Sequence, residues 1–197
     1  LKDFMPFVAC GIVFWGVISG VIVEGCDTFV QASGMLSQTS LPMLTFVWRT
    51  VLRSLINLAH HVVIIVAVLA WYGVWNRANV PLALGGLVLV LLNVSWITLA
   101  VAIASARFRD IPQIVTSVIT FAIFLTPVFW KARGALLDHA LLNLNPFYHM
   151  LDVVRAPLLG FWPSSTTYLT LVIMAVVGWA ITFTVFAFTR RRIVHYL

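Results

Sequence analysis

Residues 78–106 read ANVPLALGGLVLVLLNVSWITLAVAIASA and contain no Asp, Glu, Lys or Arg. About 20 apolar residues in a helix cross the ~30 Å hydrocarbon core of a membrane, and this stretch is longer than that. In lipid every backbone amide must be bonded within its own segment, which favours a helix over a strand. The stretch therefore predicts a transmembrane helix.

Four other stretches without these charged residues are long enough to span. They predict, with the first stretch, five spans at about 4–23, 54–76, 82–106, 111–130 and 168–189. None of them alternates polar and apolar residues as the strands of a membrane barrel do. We therefore expect an all-α integral membrane protein, a polytopic helical bundle, with residues 1–197 forming a single transmembrane domain.

The composition excludes whole classes of protein. Of the 197 residues, 62% are hydrophobic and 9% are charged, whereas a soluble domain has about 25% charged residues. A soluble globule of this size could not hide so much apolar surface, which excludes soluble enzymes and disordered tails. The net charge of +6 comes from basic residues scattered between apolar runs. Because they form no single basic stripe, no nucleic-acid partner is expected.

Basic residues in short loops predict the orientation, since such loops face the cytoplasm. The tight clusters fall on one side of a five-span chain: Arg49 and Arg53, Arg107 and Arg109, and Arg190, Arg191 and Arg192. The C-terminus is therefore expected in the cytoplasm and Leu1 outside. No initiator Met or signal peptide precedes residue 4, so we expect the sequence to be a fragment that lacks an N-terminal helix.

Two connections between the predicted spans are long. Residues 28–48 are rich in Ser, Thr and Gln, which predicts a cytoplasmic loop with one short surface helix. Residues 131–167 are expected outside, yet they are apolar and are broken at Asn145-Pro146. Neither half is long enough to span, so we predict two short helices that enter the membrane and return. Irregular backbone at that depth is tolerated only beside protein or a water-filled cavity, which indicates a pore mouth.

Metal and phosphate motifs are missing from the sequence. Adjacent helical residues point about 100° apart, so His60 and His61 cannot bind one metal ion, and no metal site is predicted. They either line a polar cavity or pack near the inner interface. The spacing Gly11-x4-Gly16 lacks the Lys of a phosphate-binding P-loop. We therefore expect no catalytic site and no ATPase site in this chain.

A few polar and aromatic residues could work inside the bundle. Trp15 and Trp96 lie near the centres of predicted spans and are candidates for lining a pore. His149 and Asp152 fall three apart, on one face of a helix. This spacing allows an acid–base pair, although a structural hydrogen bond is the preferred interpretation.

Three blocks of sequence resemble a known family. They are ARFRDIPQIV at 106–115, FLTPVFW at 124–130, and NPFY at 145–148 followed by LDVVRAPLLG at 151–160. They are similar to the permease subunit of ABC-2 type exporters of polysaccharides, the group that moves O-antigen, capsule and teichoic acid chains. Family members have six spans, so the resemblance implies that the first span is missing here.

The resemblance also implies partners and a place in the cell. Two permease copies pair as a homodimer with two separate ATP-binding subunits, which hold ATP and Mg²⁺, so this chain needs no cofactor of its own. The substrate would be a lipid-linked glycan, such as O-antigen or capsule. The protein would lie in the cytoplasmic (inner) membrane of a bacterium.

Particular residues take roles from the same resemblance. Segment 24–42, with Glu24, Gly25 and Asp27, is similar to the coupling segment that docks on the ATPase. Segment 131–167 is similar to the re-entrant helices of the outer gate. The gate candidates are Asn145, Pro146, Phe147, Tyr148, Asp152 and Arg155.

Arg107, Arg109 and Asp110 close a short cytoplasmic turn before a helix. We expect Asp110 to cap that helix, the alternative being an ion pair or a contact with the ATPase or a lipid phosphate. Arg155 is expected to face the bundle, a cavity or the outer interface, with Asp152 at i−3 as its nearest partner.

Two other functions stay open from the sequence. One is an ABC-2 exporter of a drug or a lipid, which would have the same fold and a narrower path. The other is an intramembrane enzyme, which would bring several ionisable groups to one depth.

Overall fold

The computed structural model describes residues 3–38, 42–131 and 140–196 of the chain. Within these ranges every regular element is helical. In chain order they are α1 (Phe4–Gln31), α2 (Ser33–Gln38), α3 (Leu44–Trp71), a 3-10 turn (Trp75–Arg77), α4 (Val80–Arg107), α5 (Ile111–Leu125), α6 (Ala140–Asn143), α7 (Pro146–Leu158) and α8 (Ser165–Tyr196). The all-α prediction is confirmed for the described residues.

Among the described residues four helices, α1, α3, α4 and α8, are long and apolar enough to cross a membrane. The chain is therefore a helical membrane protein. The predicted span 111–130 differs, because α5 has only 15 residues and reaches about 22 Å at 1.5 Å per residue. Pro127 disfavours a helical conformation at Thr126, and Thr126 is extended. The crossing of the membrane by this fifth segment stays a prediction.

The predicted loop at 28–48 is wrong at both ends. α1 continues to Gln31 and α3 begins at Leu44, so the two helices reach far into the polar segment. Each has 28 residues, or about 42 Å at 1.5 Å per residue, which exceeds a ~30 Å hydrocarbon core. The first polar residues mark where the hydrocarbon core would end, not where the helix ends. Glu24, Gly25 and Asp27 consequently lie on α1 and not in a loop.

Helices α1 and α4 form the centre of the bundle. α1 packs against α3 and α4, and α4 packs against α7 and α8. The larger apolar core includes Ile18, Val94 and Leu151, each at most 1% exposed. A smaller core at the other end of the bundle joins Phe29, Leu99 and other residues. The outward faces of α3, α5 and α8 keep large apolar side chains exposed, as expected for surfaces that meet lipid or another chain.

Candidate functional site

α7 lies inside the length of the long helices. At its start the Phe147 ring packs edge-on against Trp15, near the middle of α1, with ring centroids 5.6 Å apart. At its other end the Asn79 amide, at the beginning of α4, donates to the Pro157 carbonyl at 2.9 Å. Between these points α4 has Gly86, where a Cβ would collide with the backbone of α7. α7 thus runs from the middle of the bundle to the end at which α4 begins.

Asn145 fixes the start of α7. Its side-chain Oδ1 accepts from the amides of Phe147 at 2.9 Å and Tyr148 at 3.3 Å. Its Nδ2 donates to the Thr126 hydroxyl at 3.1 Å, just after α5. Pro146 occupies the first helical position, where a missing amide has no partner to lose. One side chain therefore caps α7 and ties it to the end of α5.

Arg155 is buried, with 3% of its surface exposed. Its Nη1 donates to the Pro127 carbonyl at 2.7 Å, and its guanidinium carbon lies 3.9 Å from the centroid of the Phe7 ring. Arg155 was expected to have Asp152 as its nearest partner, but its side-chain hydrogen bond goes to a carbonyl that is distant in sequence. Burial lowers the pKa of Arg155 to about 10, so the side chain stays charged at neutral pH.

Asp152 lies half-buried one helical turn before Arg155. Burial raises the pKa of its carboxyl, and the charges of Arg155 and His149 act in the opposite direction. The charges of Asp152 and Arg155 therefore interact, although the side-chain hydrogen bond of Arg155 goes to the Pro127 carbonyl.

These residues face a cavity of about 510 Å³, which we call the α7 pocket. Its charged lining is Asp3, Arg77, Lys131, Asp152 and Arg155, and its aromatic lining is Phe7, Tyr148, Phe161 and Trp162. Lys131 Nζ donates to the Asp3 carbonyl at 3.0 Å and lies 5.0 Å from the Phe7 ring centroid. Polar and aromatic groups from four parts of the chain therefore converge beside α7.

Sequence reasoning missed Phe7, Arg77 and Lys131 as members of this site. The sequence could have indicated that they lie close together, because all three lie at ends of predicted spans on the same side of the membrane. Segment 132–139, part of the predicted re-entrant region, lies outside the described residues.

His149 forms the structural hydrogen bonds preferred from the sequence, but not with Asp152. Its Nε2 donates to the Asn143 carbonyl at 2.8 Å, and its Nδ1 forms a hydrogen bond with the Thr167 hydroxyl, 3.1 Å away. With 2% exposure, His149 joins α6, α7 and α8. The acid–base pair is not formed.

The two candidate pore tryptophans pack between helices. Trp15 is 6% exposed and contacts Phe147. Trp96 donates from Nε1 to the Asn93 side chain at 3.2 Å, and its ring covers Gly178 so closely that a Cβ there would collide with it. Both rings therefore help to join helices of this chain.

His60 and His61 lie on the exposed side of α3. Each donates from Nδ1 to the carbonyl one turn earlier, that of Ile56 at 2.8 Å and that of Asn57 at 2.7 Å. Among the described residues no group of three metal-binding side chains occurs. The Nδ1 donors of both histidines are thus hydrogen-bonded within their own helix.

The opposite end of the bundle carries a smaller charged cavity of about 160 Å³, the α1–α3 pocket. Glu24 and Asp27 of α1 line it together with Arg49 and Arg53 of α3. All four side chains are exposed. The two helices are joined here by a hydrogen bond between the Thr28 and Thr50 hydroxyls, 3.1 Å apart.

The short turn before α5 differs from its prediction. Asp110 occupies the N-cap position, but its side chain makes no capping hydrogen bond. Its backbone is helical, at φ −86° and ψ −14°, whereas capping residues take extended angles. Arg107 lies over the Phe108 ring at 5.2 Å, and Arg109 is exposed.

Neither a protein-family model nor a curated protein matches this chain. The family resemblance therefore rests on the three sequence blocks. Two of these blocks, 124–130 and 145–160, contribute Pro127, Tyr148, Asp152 and Arg155 to the α7 pocket.

Proposed function

We propose that this chain is the transmembrane permease subunit of an ATP-driven ABC-2 type exporter. Its substrate would be a lipid-linked polysaccharide, and its place the cytoplasmic membrane of a bacterium. The observation that carries the proposal is α7, which begins beside Trp15 and returns to the end of the bundle at Asn79. A short helix that runs from the middle of the bundle to one end, next to a polar cavity, is what a re-entrant gate would require.

In the proposed complex two copies of this chain pair with two ATP-binding subunits, which supply the ATPase sites. Residues 1–197 contain no P-loop, which fits a subunit that draws energy from a separate ATPase. The exposed apolar faces of α3, α5 and α8 leave surface for lipid and for a second copy. With the α7 end outside, the α1–α3 pocket and the C-terminus face the cytoplasm.

Purification of the tagged chain from the cells that encode it tests the proposal. An ATP-binding protein should copurify, and the reconstituted complex should hydrolyse ATP faster with lipid-linked glycan and move that glycan into vesicles. Stimulation by a drug or a phospholipid, without glycan transport, would assign the chain to another kind of ABC-2 exporter. A preparation free of any ATP-binding protein would contradict the proposal.

The orientation is tested with single cysteines. Asn76 is exposed in the turn before α4, and Thr189 lies at the far end of α8. A cysteine at residue 76 should react with an impermeant thiol reagent from outside, whereas one at residue 189 should react only after permeabilisation. The native Cys10 and Cys26 are buried at 1% exposure, so the unmodified chain gives a low background. Labelling of both sites from outside would refute the orientation.

The coupling role of the α1–α3 pocket is tested at Glu24. Because Glu24 is exposed, Glu24→Lys should insert and fold normally but uncouple ATP hydrolysis from transport. Glu24→Gln, which removes the charge without reversing it, should have the smaller effect. Normal export by Glu24→Lys would show that this residue does not contact the ATPase.

The gate is tested with the rings at the start of α7. Bulky rings at a constriction exclude water by dewetting, so Phe147→Ala with Tyr148→Ala should raise the resting ion conductance of the assembled complex. A matched control is Phe183→Ala with Phe188→Ala, which removes two exposed rings of α8. Unchanged resting conductance with intact export would place the gate elsewhere.

A further inference from the structure

Positive charge is concentrated around one ring in the α7 pocket. Lys131 Nζ and the Arg155 guanidinium carbon lie 5.0 Å and 3.9 Å from the centroid of Phe7. With Arg77, the pocket lining has three cations against the two carboxylates of Asp3 and Asp152. A cavity with surplus charge and low-dielectric walls attracts a ligand of the opposite sign.

The cations have donors to spare for such a ligand. A guanidinium has five N–H donors in a planar fork that matches carboxylate and phosphate. Among the hydrogen bonds of the described residues, Arg155 uses Nη1 on the Pro127 carbonyl and Lys131 uses one donor on the Asp3 carbonyl. Both side chains line the pocket, and the structure shows no other hydrogen bond from either of them to a described residue.

The rest of the lining suits a sugar more than a bare anion. Phe161 and Trp162 are 68% and 77% exposed at the pocket, and such rings offer flat amphipathic contact area. Asp152 and Tyr148 can bond hydroxyl groups. The cavity of about 510 Å³ falls within the range of small-molecule sites. A phospholipid headgroup could bond to the cations, but it has no sugar ring to pack against Phe161 and Trp162.

We propose that the α7 pocket binds an acidic sugar unit, a pyranose ring that carries a carboxylate or a phosphate. Arg77, Lys131 and Arg155 surround the acid group, and Trp162 lies against the ring. This inference rests on the proposed function and adds the class of glycan, a negatively charged one, that leaves through this subunit.

Binding is measured on the full chain in phosphatidylcholine nanodiscs, with glucuronic acid, glucose 6-phosphate, glucose and inorganic phosphate as probes. The two acidic sugars should bind at least about tenfold more tightly than glucose or inorganic phosphate, since charge-assisted hydrogen bonds add to stacking. Equal binding of glucose would overturn the charge assignment. Equal binding of inorganic phosphate would reduce the site to a simple anion site and overturn the sugar assignment.

Variants locate the binding in the α7 pocket. Lys131→Gln and Trp162→Ala should each weaken glucuronic acid binding by about tenfold. Arg53→Gln, which removes an exposed cation at the opposite end, should leave it unchanged. Arg155 is avoided because its burial makes it a folding residue. Equal binding by the wild type, Lys131→Gln and Trp162→Ala would refute the site.

A lipid arm separates the two sources of acid groups. Nanodiscs that contain phosphatidylglycerol should bind glucuronic acid as well as those of phosphatidylcholine alone. Complete competition by phosphatidylglycerol would reassign the pocket to lipid. Failure here is distinct from failure of the proposed function: export of an uncharged glycan would refute only this inference, whereas acidic-sugar binding by a chain without any ATP-binding partner would refute only the exporter.

Discussion

The two ends of the bundle hold charged side chains in opposite ways. In the α7 pocket Arg155 is 3% exposed and has a hydrogen bond and an aromatic ring as neighbours. In the α1–α3 pocket Glu24 and Arg53 are exposed on helices that run on beyond their apolar stretches. Exposed charges contribute little to stability. Removal of a buried charge, in contrast, leaves its partners buried without compensation, which costs more. Substitution of the buried Arg155 should therefore disturb the fold, whereas substitution of the exposed charges at the other end should leave it intact.

The largest effect is expected for Arg155→Met. It removes a charge-assisted hydrogen bond and a desolvated cation–π contact and leaves Asp152 without its neighbouring cation, which should lower the free energy of unfolding by about 3 kcal/mol. Unfolding in mixed detergent micelles measures it. Arg53→Met, the control at the exposed end, should change the value by at most about 0.5 kcal/mol. Equal losses from both variants would remove the contrast between the two ends.

Two neighbouring glycines of α4 allow the same comparison between a tightly packed position and an open one. Gly86→Ala places a Cβ against the Val153 carbonyl, so α7 must shift, and a loss of about 2 kcal/mol is expected. At Gly85 no atom lies within 4 Å of the added Cβ, so Gly85→Ala should stabilise the helix by about 0.5 kcal/mol. Thermal unfolding of both variants compares the signs. Stabilisation by both variants would show that α7 does not pack tightly on α4.

Substitution of Asn145 separates its two tasks. Asn145→Ala removes the cap of α7 and should lower the free energy of unfolding by about 1–2 kcal/mol. Asn145→Asp keeps the capping oxygen but loses the Nδ2 donor to Thr126, so a smaller loss is expected. Denaturant unfolding of the three proteins gives the order. Equal losses in Asn145→Asp and Asn145→Ala would show that the tie to α5, which both variants lack, outweighs the cap.

The smallest effect is a dependence on pH at Asp152. Burial raises the pKa of this carboxyl above its ordinary value of 3.8, so the folded state binds the proton more tightly than the unfolded state. Protonation of Asp152 therefore favours the folded state. The stability that it contributes is fully present below pH 3.8 and is lost as the pH rises through the raised pKa of the folded state. The thermal midpoint of the wild type, measured against that of Asp152→Asn over this range, isolates the effect. Parallel curves for the two proteins would contradict the assignment.

The break at Asn145-Pro146 shows how far local rules go. Proline restricts the residue before it, and Asn is a strong N-cap, so the start of α7 could be placed from two residues. The Asn145 bond to Thr126 could not, because it joins positions 19 apart that only the packing of α5 and α7 brings together.

The end of α1 shows where a local rule fails. Polarity at Glu24 and Asp27 predicted a loop, yet the helix continues to Gln31. Hydropathy reports the solvent around a segment, and a helix satisfies its own backbone in water as well as in lipid. The polar signal was therefore correct about the surroundings and wrong about the conformation.

The sequence alone determined that this is a helical membrane protein, because long uncharged apolar runs leave the backbone no other way to satisfy its hydrogen bonds in lipid. It also determined where α7 begins, through the stereochemistry of Asn145-Pro146. Only the tertiary structure decided the partners of Arg155 and His149 and brought Phe7, Arg77 and Lys131 to one cavity. These contacts join residues far apart in the chain, and burial, which sets their strength, exists only once the helices have packed.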